Sequence, residues 1–291
     1  MPPKPAKNPR ERLNDGPTTH RVILGDSRRM PEIPDESVHL VVTSPPYANL
    51  KEYEPGSLDQ LGDIDDYDKF LDELDKVWGE CARVLVPGGR IGCVVGDVNV
   101  ARTRAGRHYV LPLAADIRVR ARRLGLDHLQ GIVWYKVANI KLEASRTSRY
   151  LGKPNLPGGI IKNDTEHIIF LRKRGYRSPS AEMEERSFIP TEQYIKWFKS
   201  IWSDIPGAST RDHPAPFPIE LASRLIRMFS FVGDTVLDPF CGTGTTVLAA
   251  MASGRSSIGY EVEPTYILQT KRRLAQIPLF DEAIVSFDER R

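Results

Sequence analysis

The stretch Thr235-Val236-Leu237-Asp238-Pro239-Phe240-Cys241-Gly242-Thr243-Gly244-Thr245-Thr246 passes from a short apolar run through a Gly-x-Gly turn into a segment that reads as helix to Ala252. Glycine lets a ligand come up against the backbone, and a helix start offers free N–H groups. Ser257–Tyr260 reads as the next strand and ends at Glu261, 19 residues after Gly242. A carboxylate at that place can accept both hydroxyls of a ribose. Val247 stands where a dinucleotide fingerprint has its third glycine, and no Lys-Ser/Thr pair follows Gly244, so neither a nicotinamide-type site nor a phosphate loop is matched. A bare Gly-x-Gly also serves any tight strand-to-helix turn. Asp238 before it and Glu261 after it raise a nucleoside site above that simpler reading.

Outward from this stretch, strand and helix keep alternating. Val22–Leu24 closes at Gly25-Asp26-Ser27, and Val38–Val42 stops at Thr43-Ser44-Pro45-Pro46-Tyr47. Tyr67, Phe70, Leu71, Leu74, Val77, Trp78, Cys81 and Leu85 recur at helical spacing; Pro87-Gly88-Gly89 ends that segment, and Arg90–Val95 is the next strand. Leu111–Leu124 and Ile219–Phe229 read as helices, Ile132–Tyr135 and His167–Leu171 as strands, and Pro264 opens a last helix to about Leu274. The pattern predicts an α/β fold, a doubly wound, mostly parallel sheet whose ligands lie beyond the carboxyl ends of the strands. Residues 21–135 and 164–280 form one discontinuous domain. Residues 136–163, with 201 as the furthest limit, form an irregular basic insertion, and 1–20 and 281–291 are expected as tails.

The loop Ser44-Pro45-Pro46-Tyr47 is the second place with chemistry. Two prolines cannot continue a strand inside a sheet, so the tetrapeptide forms a rigid loop at the strand's end. By itself Pro-Pro is a common surface turn. Here one side-chain oxygen and one carbonyl oxygen are held side by side, matching the two hydrogens of an exocyclic amino group, while the tyrosine ring can stack on a planar base.

With these residues in view, Thr43–Tyr47 together with Val236–Thr246 resembles the amino-methylating DNA methyltransferases that use S-adenosylmethionine. The order, catalytic loop first and cofactor loop later, resembles their circularly permuted beta group. The resemblance covers about Val22 to Leu274. It implies that Asp238, Phe240, Gly242 and Gly244 belong to the cofactor loop, with Pro239, Cys241, Thr245 and Thr246 in the same segment, and that Glu261 holds the ribose. It also implies that Asp26 binds the adenine amino group of the cofactor and that His213–Pro218, through His213 and Phe217, lies near its methionine end. Ser44, Pro45, Pro46 and Tyr47 become the catalytic residues acting on a base flipped out of duplex DNA. Thr165-Glu166-His167 resembles a late strand motif of the catalytic half. Ser44, where the family also carries aspartate or asparagine, is the form typical of cytosine-N4 enzymes, with adenine-N6 as the runner-up. Lys136–Asn163 occupies the place of a target-recognition region, with Lys141, Arg146, Arg149 and Lys153 as its DNA contacts. A cognate restriction endonuclease is a possible partner, and the chain is expected as monomer or homodimer in a bacterial or archaeal cytoplasm.

Composition agrees with an ordinary globular chain: 291 residues, 40% hydrophobic and 27% charged, with net charge +3. No apolar run approaches the ~20 residues of a membrane span. The start, Pro- and Lys/Arg-rich, does not read as a secretory signal. Charge is uneven. Residues 52–75 hold ten acids against one base, whereas 136–177 hold ten bases against three acids. A charge run is ordinarily a solvated face, but a basic, loop-like insertion favours a polyanion contact. Cys81, Cys93 and Cys241 have no partners at zinc-ligand spacing, so no metal is expected, and Cys241 reads as a spacer rather than a nucleophile. Trp134, Tyr135, Trp197 and Trp202 read as core. Rival assignments are methylation of a protein glutamine or an RNA base, whose families place the cofactor loop first, and a DNA-binding module without activity.

Overall fold

The computed structural model describes residues 17–47, 60–136, 157, 161, 163–207, 217–276 and 283–290. Eleven strands are found among them: β1 Thr19–Leu24, β2 Val38–Thr43, β3 Leu85–Val95, β4 Val98–Val100, β5 Tyr109–Leu111, β6 Leu126–Tyr135, β7 Thr165–Lys173, β8 Ile201–Trp202, β9 Thr235–Asp238, β10 Ser256–Glu261 and β11 Ile284–Glu289. Nine form one sheet in the order β11-β1-β10-β9-β2-β3-β7-β6-β8, and β4 pairs with β5 in a small hairpin. Within the large sheet β7 alone runs against its neighbours β3 and β6.

The central strands are apolar on both faces because both are covered. Leu40 and Val42 of β2 join Val236, Ile168 and Phe170 against the helices Ile219–Phe229 and Thr245–Ala252. Val41 joins Leu237, Ile91 and Ile169 against the helices Tyr67–Val84 and Leu113–Ala121. Tyr67–Val84 buries Phe70, Leu71, Leu74, Val77, Trp78, Cys81 and Val84, and Asp66 caps it by accepting the N–H groups of Asp68 and Lys69. Trp134, Trp197 and Trp202 are core, the indole N–H of Trp134 donating to Ile205 and that of Trp202 to Trp197.

Three expectations are corrected. Pro87-Gly88-Gly89 does not end a segment before the strand but lies within β3. The β2–β3 register shifts there, from Val38↔Leu85 to Leu40↔Arg90, and Gly88 at φ +81° takes up the irregularity. Residues 281–291 are not simply a tail, because β11 adds to the sheet edge parallel to β1, where Asp288 pairs with Arg21. Likewise Thr19 and His20, expected in the first tail, belong to β1. Ala181–Arg186 and Thr191–Trp197 form two short helices without a sequence signal long enough to find them. Among the described residues no helix is long and apolar enough to cross a membrane.

His20 makes the fold sensitive to acid. Its ring nitrogens lie 2.8 Å from the hydroxyls of Ser257 and Thr18, and burial lowers its pKa from 6.5 to about 4. The unfolded chain therefore takes the proton first, so the contribution is whole above pH 6.5 and is lost as the pH falls through about 4. Thermal melts of His20→Gln should show a shallower fall in stability over that window than the parent, by up to about 3 kcal/mol. Parallel curves would mean that His20 is not protonation-linked to folding.

Candidate active site

Four strands, β1, β2, β9 and β10, deliver the groups singled out in the sequence to one end of the sheet. At the end of β9, Asp238 is 2% exposed and turned inward. Its Oδ1 accepts from the Thr43 hydroxyl at 2.7 Å and the Phe240 N–H at 3.1 Å, and its Oδ2 accepts from the Thr246 hydroxyl at 2.6 Å. Burial pushes its pKa up to about 6, against the pull of those three bonds. At the end of β10, Glu261 Oε2 accepts the Gly242 N–H at 2.7 Å and Oε1 accepts the Glu263 N–H at 2.9 Å. Desolvation pushes this carboxyl up to about 7. After β1, Asp26 accepts from the backbone N–H of Arg28 at 2.8 Å and from its Nε at 2.7 Å, and Arg28 reaches on to Glu73.

These ends surround a cleft of about 720 Å³ measured to its open mouth. Asp26, Glu261, Ser44, Pro45, Pro46, Pro239, Phe240 and Gly242 all line it. Thus the structure brings the proline loop, the glycine loop and the acids Asp26 and Glu261 together. Tyr47 lies beside the cleft, with its hydroxyl accepting the Gly96 N–H at 3.1 Å. His213, Lys141, Arg146, Arg149 and Lys153 lie outside the described residues.

Several loop residues have a different place from the one expected. Asp238, Cys241, Gly244, Thr245 and Thr246 are not among the lining groups. Cys241 is buried, its N–H donates to Tyr260, and burial raises its thiol pKa, which suits a spacer and not a nucleophile. The Thr245 hydroxyl accepts from Arg273, and Phe217 packs against the core that holds the buried tryptophans. At Gly244 the close approach is to protein: a Cβ there would stand 2.6 Å from Thr270 Cγ2, at φ +79°. Thr270 in turn donates its hydroxyl to the Gly242 carbonyl at 3.1 Å, so the final helix, Pro264–Ala275, braces the turn.

The cleft also holds residues that were not foreseen. Gln60, Leu61 and Gly62 enter it from the turn before the helix Tyr67–Val84, and Glu263 and Tyr266 from the start of the final helix. Gln60 Nε2 donates to Glu263 Oε2 at 3.3 Å, while Glu263 Oε1 caps the final helix through the Thr265 N–H. The only local signal was the acid before Pro264, a helix-start pattern. Gln60 sits in an acidic run with no motif of its own.

An apolar cleft with a carboxylate at each of two strand ends suits a nucleoside: Phe240, Leu61 and Tyr266 can flank a ring, and the acids can accept its amine and hydroxyl hydrogens. No group of three or more acid, His or Cys side chains that could hold a metal occurs among the described residues.

The sheet, its switch point and this cleft define a class I S-adenosylmethionine-dependent methyltransferase. Residues 38–272 match the DNA methylase family of amino-N6 and amino-N4 methyltransferases, and the chain belongs to that family. It is 37% identical to the type II methyltransferase M.MjaI of Methanocaldococcus jannaschii over 84% of this chain and 88% of that one. It is 36% identical to M.MthZI of Methanothermobacter thermautotrophicus, covering 86% and 74%. The structure of a DNA modification methylase from Thermus thermophilus, complexed with S-adenosyl-L-methionine, superposes with a TM-score of 0.75 at 49% identity, covering 92% of this chain and 98% of that one. The fold is also that of the PvuII DNA methyltransferase, with a TM-score of 0.65 at 20% identity, over 92% and 89%. The protein is a DNA methyltransferase, and its methyl donor is S-adenosylmethionine.

The glycine turn and Glu261 can each be tested. Gly244→Ala should cost about 2–4 kcal/mol of stability by overpacking against Thr270 at a left-handed backbone position. Thr270→Ser, which removes the obstructing methyl and keeps the hydroxyl, should restore part of it in thermal melts; no recovery would place the strain elsewhere. If Glu261 accepts a ribose hydroxyl of the cofactor, binding favours its ionised carboxylate, so cofactor affinity should rise as pH increases through about 7 and level off above it. Calorimetry on Glu261→Gln should find a weaker and pH-independent affinity over the same range.

Proposed function

We propose that the chain methylates the exocyclic N4 of cytosine in duplex DNA, as the modification enzyme of a type II restriction-modification system and a member of the circularly permuted beta group. The observation that carries this is the convergence of Ser44 and Pro45 on the cleft that also holds Asp26 and Glu261. The similarity to the type II methyltransferases M.MjaI and M.MthZI supports the biological setting. Ser44 in place of an acid at the head of the loop supports cytosine over adenine.

The base amine is a poor nucleophile because its lone pair is delocalised into the ring. Ser44 Oγ and the Pro45 carbonyl accept its two hydrogens and favour a pyramidal nitrogen with the lone pair turned outward. Tyr47 stacks on the extruded base, offsetting a flipping cost of a few kcal/mol. Asp26 and Glu261 orient the nucleoside part of the cofactor, and Phe240 excludes water from the cleft. When bound, S-adenosylmethionine supplies an electrophilic methyl group on a sulfonium. No covalent enzyme intermediate is required, since positioning and preorganised acceptors supply the rate. Lys141, Arg146, Arg149 and Lys153 contact the DNA from the basic insertion.

Ser44→Ala should lower the single-turnover methylation rate by about 10²-fold while cofactor and DNA affinity change little. Mass spectrometry of digested product identifies the base: 4-methylcytosine is expected, and 6-methyladenine alone would transfer the assignment to adenine. An unchanged rate in Ser44→Ala would remove Ser44 from the chemistry.

A further inference from the structure

Thr43 ends β2, is 0% exposed, and is followed directly by Ser44. β2 and β9 are neighbours in the sheet, but their ladder pairs only Leu40 with Val236 and Val41 with Leu237. The backbone connection therefore stops before either loop begins. Beyond it, side chains make the connection: the Thr246 hydroxyl lies 3.3 Å from the Val42 carbonyl, and the Thr43 hydroxyl donates to Asp238 Oδ1 at 2.7 Å. The same oxygen accepts the Phe240 N–H, and the other carboxylate oxygen accepts the Thr246 hydroxyl at the start of the following helix. Phe240 and Ser44 both line the cleft.

We infer that Thr43 is a positioning residue for methyl transfer: through Asp238 its hydroxyl sets the placement of the Ser44 loop relative to the cofactor loop. The β-branched side chain has few rotamers, so a bond at its oxygen fixes the backbone that Ser44 continues. The acceptor is equally constrained, buried and held by two further donors. A displacement of the amine-holding loop by a fraction of an ångström lowers the rate of a positioned reaction without altering how tightly either ligand is held. If the hydroxyl served only to satisfy a buried carboxylate, its loss would appear in stability and not in the rate of the folded enzyme.

The inference rests on Ser44 as the acceptor for the amine, and the experiment separates the two. Single-turnover methylation is measured with S-adenosylmethionine and a cognate duplex both saturating, alongside the Kd of each and thermal melts. Thr43→Val and Thr43→Ala, made together so that a packing failure in one leaves the other, should slow methyl transfer by about 10–10²-fold with both Kd values within about twofold. Thr43→Ser should recover most of the rate. Asp238→Ala should also slow the reaction, and because it removes the acceptor of the same bond, the Thr43→Val/Asp238→Ala double variant should be no slower than the slower single one. Folded Thr43→Val and Thr43→Ala enzymes at the parental rate, or losses that multiply in the double variant, would overturn the inference. A slow Ser44→Ala beside a fast Thr43→Val would overturn the link alone, whereas a fast Ser44→Ala would overturn the assignment of the site.

Discussion

The carboxylate of Asp238 is the point through which the two halves of this site are joined. It lies at the end of β9, adjacent to β2, where the strand order turns and the chain leaves toward opposite sides of the sheet. A parallel sheet opens a crevice at such a place, and the loops on its two sides are not held by the ladder. An acid taken out of water there is costly unless every lone pair is used, and its raised pKa records that cost. Three donors from three segments, Thr43, Phe240 and Thr246, offset it. The same contacts that make the buried acid tolerable hold the proline loop against the glycine turn.

Glu261 shows the complementary solution one strand away. It too is desolvated and raised in pKa, but its oxygens accept backbone N–H groups from Gly242 and Glu263 and it remains on the cleft. One carboxylate thus organises the interior of the loop and the other faces the cleft. Behind them Gly244 and Thr270 set the depth of the turn, since a helix start can approach the final helix this closely only where no side chain intervenes.

Charge is arranged with similar economy. The acidic run before and along the helix Tyr67–Val84 reads in sequence as a solvated face. In the fold its acids meet arginines from distant segments: Arg28 on Glu73, Arg120 on Asp72 and Asp75, and Arg104 on Asp65. Exposed pairs of this kind contribute little individually. Their consequence is partial neutralisation of the helix face, and through Arg28 a connection from the helix to Asp26 at the cleft.

The layered α/β architecture is legible in the residue pattern, because strands covered on both faces must be apolar throughout and covering helices must carry one apolar stripe. The bounds of Thr235–Asp238, Thr245–Ala252 and Ile219–Phe229 could be read residue by residue, and so could the presence of two loops with chemistry, since Gly-x-Gly and Pro-Pro each constrain the backbone locally. Which loop residues face the cleft is settled only by the folded chain. Asp238, Gly244 and Thr246 carry the motif yet turn to Thr43, Thr270 and Val42, partners 26 or more residues away in the chain. Folding also brought in Gln60, Glu263 and Tyr266 and recruited Ile284–Glu289 to the sheet edge. Periodicity reports how a segment buries its own apolar side chains; the partner of a buried polar atom, or of an open strand edge, is chosen by what the rest of the chain places beside it.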